Sequence, residues 1–209
     1  MKETIVIFAN SFKHGGHCVA GKSLGTKKWF RPVSDVNGGA LNDQQIKYFN
    51  PMGRFSVKHL QNIEMEFAKK VPLLYQPENF LISNNPWHQK YNLDRRDIPG
   101  FLDHPETLWG EGDSVDSQAI LNQHISIQQS LYLIKINQIE LSLHFYSGSN
   151  HAKVSFVYNN KINYTLSCTD NNFQNLIKDN EIQTNKYLCI SLGEEFKNKK
   201  HYKLVAAII

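Results

Sequence analysis

The clearest alternation of hydrophobic and polar residues lies in the last third of the chain. Residues 130–145 contain two stretches of alternation, which fits a long or bent strand. Residues 151–158 and 161–169 also alternate, on either side of Asn159 and Asn160. Because Asn tolerates positive φ, this pair suits a two-residue hairpin turn. The pattern predicts three consecutive antiparallel strands.

The same alternation predicts which side chains of the second and third strands face the core. Aromatic residues such as Phe156 and Tyr164 point inward. The outward positions are polar: Lys153, Ser155, Asn163, Thr165 and Ser167. Barrels that stack bases on aromatic side chains of these strands would need the opposite arrangement.

A short helix and two further strands complete this region. Asp170 is an N-cap candidate, and Phe173, Leu176 and Ile177 follow helical spacing. Residues 187–192 and 202–209 read as strands. The order strand-strand-strand-helix-strand-strand is that of an oligonucleotide/oligosaccharide-binding (OB) barrel, although other small barrels share much of it.

The first 127 residues are less regular. Their pattern predicts strands at 3–9, 28–33, 62–69 and 78–83. Residues 43–49 suggest a short helix. Residues 84–116, rich in Pro, Trp, Asp and Gly, suggest a long irregular insertion or the connection between domains. We therefore expect an N-terminal domain over 1–127 and a C-terminal domain over 128–209.

Composition limits the class of protein. The 209 residues are 41% hydrophobic, enough for a core, and no run approaches 18 apolar residues, which excludes a membrane-spanning helix. The start of the chain reads as a strand and not as a signal peptide. Three widely spaced cysteines argue against a disulfide framework and for a reducing compartment. We expect a cytoplasmic protein without a membrane partner.

Positive charge is concentrated near the start. Residues 1–58 hold nine Lys and Arg against three Asp and Glu, in a chain of formal net charge +4. This block contains the glycine-rich stretch 10–34, where Lys13, Lys22 and Arg31 could neutralise phosphates and Trp29 could stack on a base. The alternative interpretation is a glycine-bearing turn with solvated lysines and Trp29 in the core.

Residues 16–23 match the phosphate-loop pattern G-x-x-x-x-G-K-S letter for letter. A phosphate loop must be followed by a helix of several turns. Gly25 weakens such a helix and Pro32 stops it. We therefore interpret the match as a coincidence.

A metal or catalytic centre has little support in the sequence. His14, His17 and Cys18 are close together, but no second ligand pair with zinc-site spacing follows. We therefore expect no metal and no cofactor. Asn10, Ser11 and His17 remain a possible polar site, although nothing in the sequence defines its geometry.

Several motifs together resemble a bacterial family that carries a dual OB-containing domain. They are ANSFKHGGHCVAGK at 9–22, WFRPV at 29–33, YQPEN at 75–79, SLYL at 130–133, SLGEEF at 191–196 and YKLVAAII at 202–209. The resemblance implies a mainly β fold with two OB-like barrels and short helices. It also implies nucleic-acid binding, in a bacterial defence or mobile-element setting.

These observations predict a non-enzymatic module that binds single-stranded or other non-duplex DNA or RNA. The candidate contacts lie in the matching motifs: Lys13, His14, Lys22, Trp29, Arg31 and Asn79. One alternative is an enzyme acting on a nucleotide or nucleic acid through His14, His17 and Asn10. Another is an adaptor that binds a partner protein. The deciding feature is whether residues 10–31 line an open basic cleft.

Overall fold

A computed structural model describes residues 1–13, 15–179 and 181–209, without the side chains of Lys13 and Asp179. The chain is 56% strand and 9% helix, which confirms a mainly β fold. It forms two compact units, Met1–Phe101 and Leu102–Ile209. The sequence-based division after residue 127 falls later than this one.

Five strands of the first unit close into a barrel. The strands of the unit are β1 (Lys2–Lys13), β2 (Gly16–Ser23), β3 (Trp29–Val33), β4 (Lys47–Asn50), β5 (Gly53–Ser56), β6 (Gln61–Lys70), β7 (Asn79–Ile82) and β8 (Trp87–Asn92), before a 3-10 helix (Arg95–Phe101). The ring runs β1-β2-β3-β7-β6 and back to β1, with β3 and β7 parallel. This is the strand order of an OB barrel.

The core of the first barrel comes from alternate positions of these strands. Ile5 and Ile7 on β1 are fully buried with Ile63 on the facing strand β6. Phe30 on β3 stacks on Phe80 with ring centroids 4.4 Å apart. Strands β8, β4 and β5 extend the sheet outward from β6.

One prediction for this unit is wrong. Residues 43–49 do not form a helix: Asn42 Oδ1 accepts hydrogen bonds from the backbone of Gln44 and Gln45, which makes one turn, and the chain continues as β4. The stretch 84–116 contains the boundary between the two units, which agrees with its interpretation as a connection, but it also contains the regular elements β8 and the 3-10 helix.

The second unit contains another closed five-stranded barrel. Its elements are β9 (Ser114–Asp116), α1 (Ser117–Leu121), β10 (Leu131–Tyr146), β11 (Ser149–Tyr158), β12 (Ile162–Cys168), α2 (Phe173–Asp179), β13 (Ile182–Glu195) and β14 (Lys200–Ile208). The ring runs β10-β11-β12-β14-β13 and back to β10, with β12 and β14 parallel. Short β9 adds to β14. The predicted order, with a helix between the third and fourth strands, is confirmed.

Local features of this barrel agree with the sequence pattern. Asn159 and Asn160 adopt φ of 52° and 55°, as the hairpin turn requires. Phe156 and Tyr164 are buried as neighbours on facing strands. Cys168 is a free thiol whose pKa is raised by burial to about 12, so it remains protonated at neutral pH. Among the described residues, no helix has the length and apolar character to cross a membrane.

Candidate nucleic-acid interface

The outer face of β2 and β3 in the first barrel is covered by the chain itself. Lys22 pairs with Trp29 across the two strands, and Trp29 and Arg31 alternate with the core residue Phe30. Lys22, Trp29 and Arg31 are only 3%, 6% and 8% exposed. Lys22 Nζ donates a hydrogen bond of 2.7 Å to the carbonyl of Phe101, the last residue of the 3-10 helix. These predicted contact residues thus lie on the face where OB barrels bind ligands, but beneath other residues.

Aromatic packing accounts for the burial of Trp29. Its ring meets Phe8 edge-on, with centroids 6.2 Å apart, and Phe8 contacts Phe101 at 5.4 Å. The Lys22 ammonium lies 5.0 Å from the centre of the Trp29 ring. In this conformation Trp29 has no open ring face on which a base could stack.

Arg31 and Asn79 hold β3 beside β7. Arg31 Nε lies 3.6 Å from Glu78 Oε1, and both side chains are buried, so the charge of Arg31 is compensated within the protein. The Arg31 backbone also donates to the Glu78 carbonyl at 2.9 Å. Asn79 is fully buried, and its amide nitrogen donates to Gln76 Oε1 at 3.2 Å. Neither predicted contact residue faces solvent.

The glycine-rich motif is largely a strand. Residues 16–23 form the strand β2 and not a loop, so the interpretation of the phosphate-loop match as a coincidence is confirmed. A Cβ atom on Gly21 would overlap the carbonyl oxygen of Val6 on β1. Gly21 is therefore required by the close approach of β1 and β2.

The structure brings Asn10 and His17 together with Asp43, a residue that the sequence did not indicate. Asn10 Nδ2 donates to the carbonyl of Val57, which turns Asn10 Oδ1 toward His17 Nδ1 at 3.2 Å. His17 Nε2 lies 2.8 Å from Asp43 Oδ1. Both ring nitrogens face protein oxygens, so neither is open to take a proton from a substrate. Ser11 is buried and projects from the other side of β1.

Two predicted contacts lie at the limit of what the structure describes. Lys13 ends β1, and its side chain is outside the described part, as is the whole of His14. Within the described ranges, no three His, Cys, Asp or Glu side chains are grouped in a way that could hold a metal ion.

The connection between β10 and β11 in the second barrel exposes aromatic side chains. Phe145 and Tyr146 are 73% and 62% exposed at the end of this hairpin. The Tyr146 ring stacks on His151 with centroids 4.1 Å apart, and His151 Nε2 is within 2.9 Å of Ser149 Oγ. This hairpin end, residues 143–151, is the loop between the first two strands of the barrel, one of the two ligand-binding loops of OB folds.

The loop between β13 and β14, which corresponds to the second ligand-binding loop of OB folds, combines an aromatic residue with lysines. Phe196 is 49% exposed. Lys199 Nζ donates to Glu195 Oε1 at 2.8 Å, and this contact holds the pKa of the Glu195 carboxyl below its ordinary value. Lys197 and Lys200 are exposed and form no ion pair with any other described residue. Their positive charges remain available to an anionic ligand.

Sequence reasoning missed the exposed hairpin end because its alternation continues without a break. Ile139 and Leu141 are buried, and Leu143 and Phe145 have the same parity. However, the hairpin extends beyond the barrel, so Leu143 is 40% exposed and Phe145 more so. The one available signal was two adjacent aromatic residues directly before the Ser147–Gly148 turn.

Two closed five-stranded barrels of this strand order define a tandem OB protein. The chain belongs to the family with a dual OB-containing domain, whose family model matches residues 3–208. Comparisons with curated proteins and with solved structures gave no match. At a general level, a dual OB fold is consistent with nucleic-acid binding.

Proposed function

We propose that this protein binds single-stranded or other non-duplex DNA or RNA without catalysing a reaction on it, in the bacterial defence or mobile-element setting implied by its family resemblance. The observation that carries the proposal is the exposure of aromatic side chains on both ligand-binding loops of the second barrel. Phe145 and Tyr146 lie on one loop and Phe196 on the other. Exposed rings offer stacking faces to unpaired bases, which a duplex keeps inside its own stack.

Charge supports the same proposal. Lys197 and Lys200 lie beside Phe196 and can contact phosphates. The first unit holds fourteen Lys and Arg against eight Asp and Glu, a formal balance of +6, whereas the second holds nine against eleven, a balance of −2. The first unit therefore supplies the long-range attraction for a polyanion.

The experiment is fluorescence anisotropy with labelled single-stranded and duplex oligonucleotides over a salt series. Each stacked base contributes about 1–3 kcal/mol, so Phe145→Ala with Tyr146→Ala should weaken single-strand binding by about 5-fold or more. Phe55→Ala is the matched control, since Phe55 is an exposed aromatic residue of the first unit. Lys197→Gln with Lys200→Gln should reduce the salt slope by about 1.4, the value for two phosphates of a single strand.

The proposal fails if no oligonucleotide binds at low salt or if binding shows no salt slope. It also fails if the hairpin variant binds as tightly as the Phe55→Ala control. Tighter binding to duplex than to single strands would contradict the expected preference.

A further inference from the structure

A groove with a volume of about 640 Å³ lies where β10 separates from β11 in the second barrel. Strand β10 pairs with β11 only from Ile139 onward, although its pairing with β13 already begins at Leu131. Residues 135–138 of β10 lie on one side of the opening, and residues 157–160, at the end of β11 and in the turn that follows it, lie on the other. Its volume lies within the range of about 300–1,000 Å³ that is typical of ligand sites.

Four amide side chains without a side-chain hydrogen bond to another described residue contribute to the polar lining of this groove. Asn137, Gln138, Asn160 and Asn163 are exposed and line it. Within the described ranges, none of the four amides forms a side-chain hydrogen bond to another residue. Each amide therefore offers both a donor and an acceptor to a ligand. By contrast, Asn159 is held to the protein, because its amide donates to the Glu106 carbonyl at 3.1 Å.

The charges of the groove do not suit a phosphate. Among its lining residues, the ionisable groups other than buried tyrosines are Lys135 and Glu140, which have opposite signs. A neutral groove gains little from a polyanionic backbone. Amide side chains instead match the donor and acceptor edges of nucleobases, as Asn and Gln do when they bind adenine through two hydrogen bonds.

We propose that this amide groove binds nucleobases of the single strand, so that it determines the base preference of the protein while the aromatic loops provide sequence-independent affinity. The inference rests on the proposed function. It adds a distinct prediction. Substitutions in the groove should change how much the binding affinity differs between oligonucleotides of different base sequence, and they should leave the contribution of phosphate contacts to the affinity unchanged.

The test compares labelled homopolymers of the four bases by fluorescence anisotropy at fixed salt. The wild-type protein should prefer at least one base by about 5-fold or more, since a two-bond contact to a base edge discriminates by about 1–3 kcal/mol. In Asn137→Ala with Asn163→Ala, the preferred homopolymer should bind about as weakly as the others, with an unchanged salt slope. Gln174→Ala, an exposed amide on α2, should keep the wild-type preference.

Asn160 is left intact in this test because its positive φ makes Ala unfavourable there. Urea midpoints verify that the double variant folds, and Gln138→Ala gives the same test at a single exposed position. If oligonucleotides bind but the preference survives in both variants, the inference is overturned and the proposed function stands. If no oligonucleotide binds, both are overturned. Binding of a neutral hexasaccharide (maltohexaose) that is lost in the double variant, with no change in base preference, would assign the groove to sugars and overturn the inference.

Discussion

Lys203 links the loop before β9 to the second barrel. Its substitution tests how a buried, hydrogen-bonded ammonium group affects the free energy of unfolding. The side chain is 1% exposed, and its ammonium donates to the carbonyls of Gly110, Glu111 and Gly112 at 2.7, 2.9 and 2.9 Å. Tyr164 reinforces the same loop, since its hydroxyl donates to the Gly110 carbonyl at 2.8 Å. Each of the three N–H groups of the Lys203 ammonium can thus donate to one of the three carbonyls.

Lys203→Met retains the length of the side chain but removes all three hydrogen bonds. Each bond from a charged donor contributes about 1.5–3 kcal/mol. The carbonyls of Glu111 and Gly112 belong to exposed residues and can recover water. We therefore expect a loss of only about 2 kcal/mol in the free energy of unfolding at pH 7.

The pH dependence separates the cost of burial from the gain of hydrogen bonding. Burial lowers the pKa of Lys203 from 10.5 to about 8. Between these values the unfolded chain binds more protons than the folded chain, so the stability of the wild type rises with pH. From pH 7 to 9.5 such a shift corresponds to ~2 kcal/mol in the free energy of unfolding. We halve this value to ~1 kcal/mol because two of the three carbonyls that bind the ammonium belong to the exposed residues Glu111 and Gly112.

Urea unfolding at pH 7 and 9.5 measures this difference. Trp109 reports on the second unit, since its ring contacts Tyr132 at 4.6 Å, and Trp29→Phe with Trp87→Phe in every protein removes the other tryptophan signals. The stability gap between wild type and Lys203→Met should widen by ~1 kcal/mol at the higher pH, while the exposed control Lys161→Met follows the wild type. A constant or narrowing gap would refute the reasoning, because the carbonyls would then fully compensate the burial of the charge.

Two further predictions concern the first barrel. Gly21→Ala should lower the free energy of unfolding by more than ~3 kcal/mol or prevent folding, because the added Cβ overlaps Val6. Gly25→Ala is the control: a Cβ there has its nearest neighbour at 3.9 Å, so this variant should keep the wild-type midpoint in thermal unfolding. Equal midpoints for the two variants would contradict this prediction. Trp29→Ala should lower the free energy of unfolding, measured with urea, by about 3–5 kcal/mol because the ring is buried. The milder Trp29→Phe should bind oligonucleotides as the wild type does, and a clear loss of affinity with an unchanged midpoint would show that Trp29 contacts the ligand.

The second barrel was predictable because its signals are local. Alternation defines its strands, and Asn159 and Asn160 supply the positive φ of a hairpin within two residues. Strand β2 of the first barrel gives no such signal, since its last five residues are all buried and no alternation survives. Strand β8 is mostly polar, and its pairing with β6 and β4 connects distant positions. Such long-range pairing is invisible to a reading of short windows.

The candidate site was less predictable, because exposure depends on distant residues. Lys22 and Trp29 have the chemistry of nucleic-acid contacts, yet a residue 79 positions beyond Lys22 accepts its hydrogen bond. Phe145 falls on the same alternate positions of β10 as the core residues Ile139 and Leu141, yet it is exposed because the β10–β11 hairpin extends beyond the barrel. In both cases the residue type and the periodicity were interpreted correctly, but whether the side chain is buried or exposed depends on which other segments of the chain cover it.

The two barrels show why a shared strand order does not transfer a site from one to the other. In the first, Phe101 and its neighbours occupy the face of the second and third strands, and the cations there are satisfied internally. In the second, Asn163 on the third strand remains exposed beside an open groove. Segments outside the five barrel strands decide which face stays open, and such segments vary independently of the barrel. In this chain, candidate ligand contacts therefore have to be inferred for each barrel from the exposure of its side chains, because the sequence motif alone does not show which side chains are exposed.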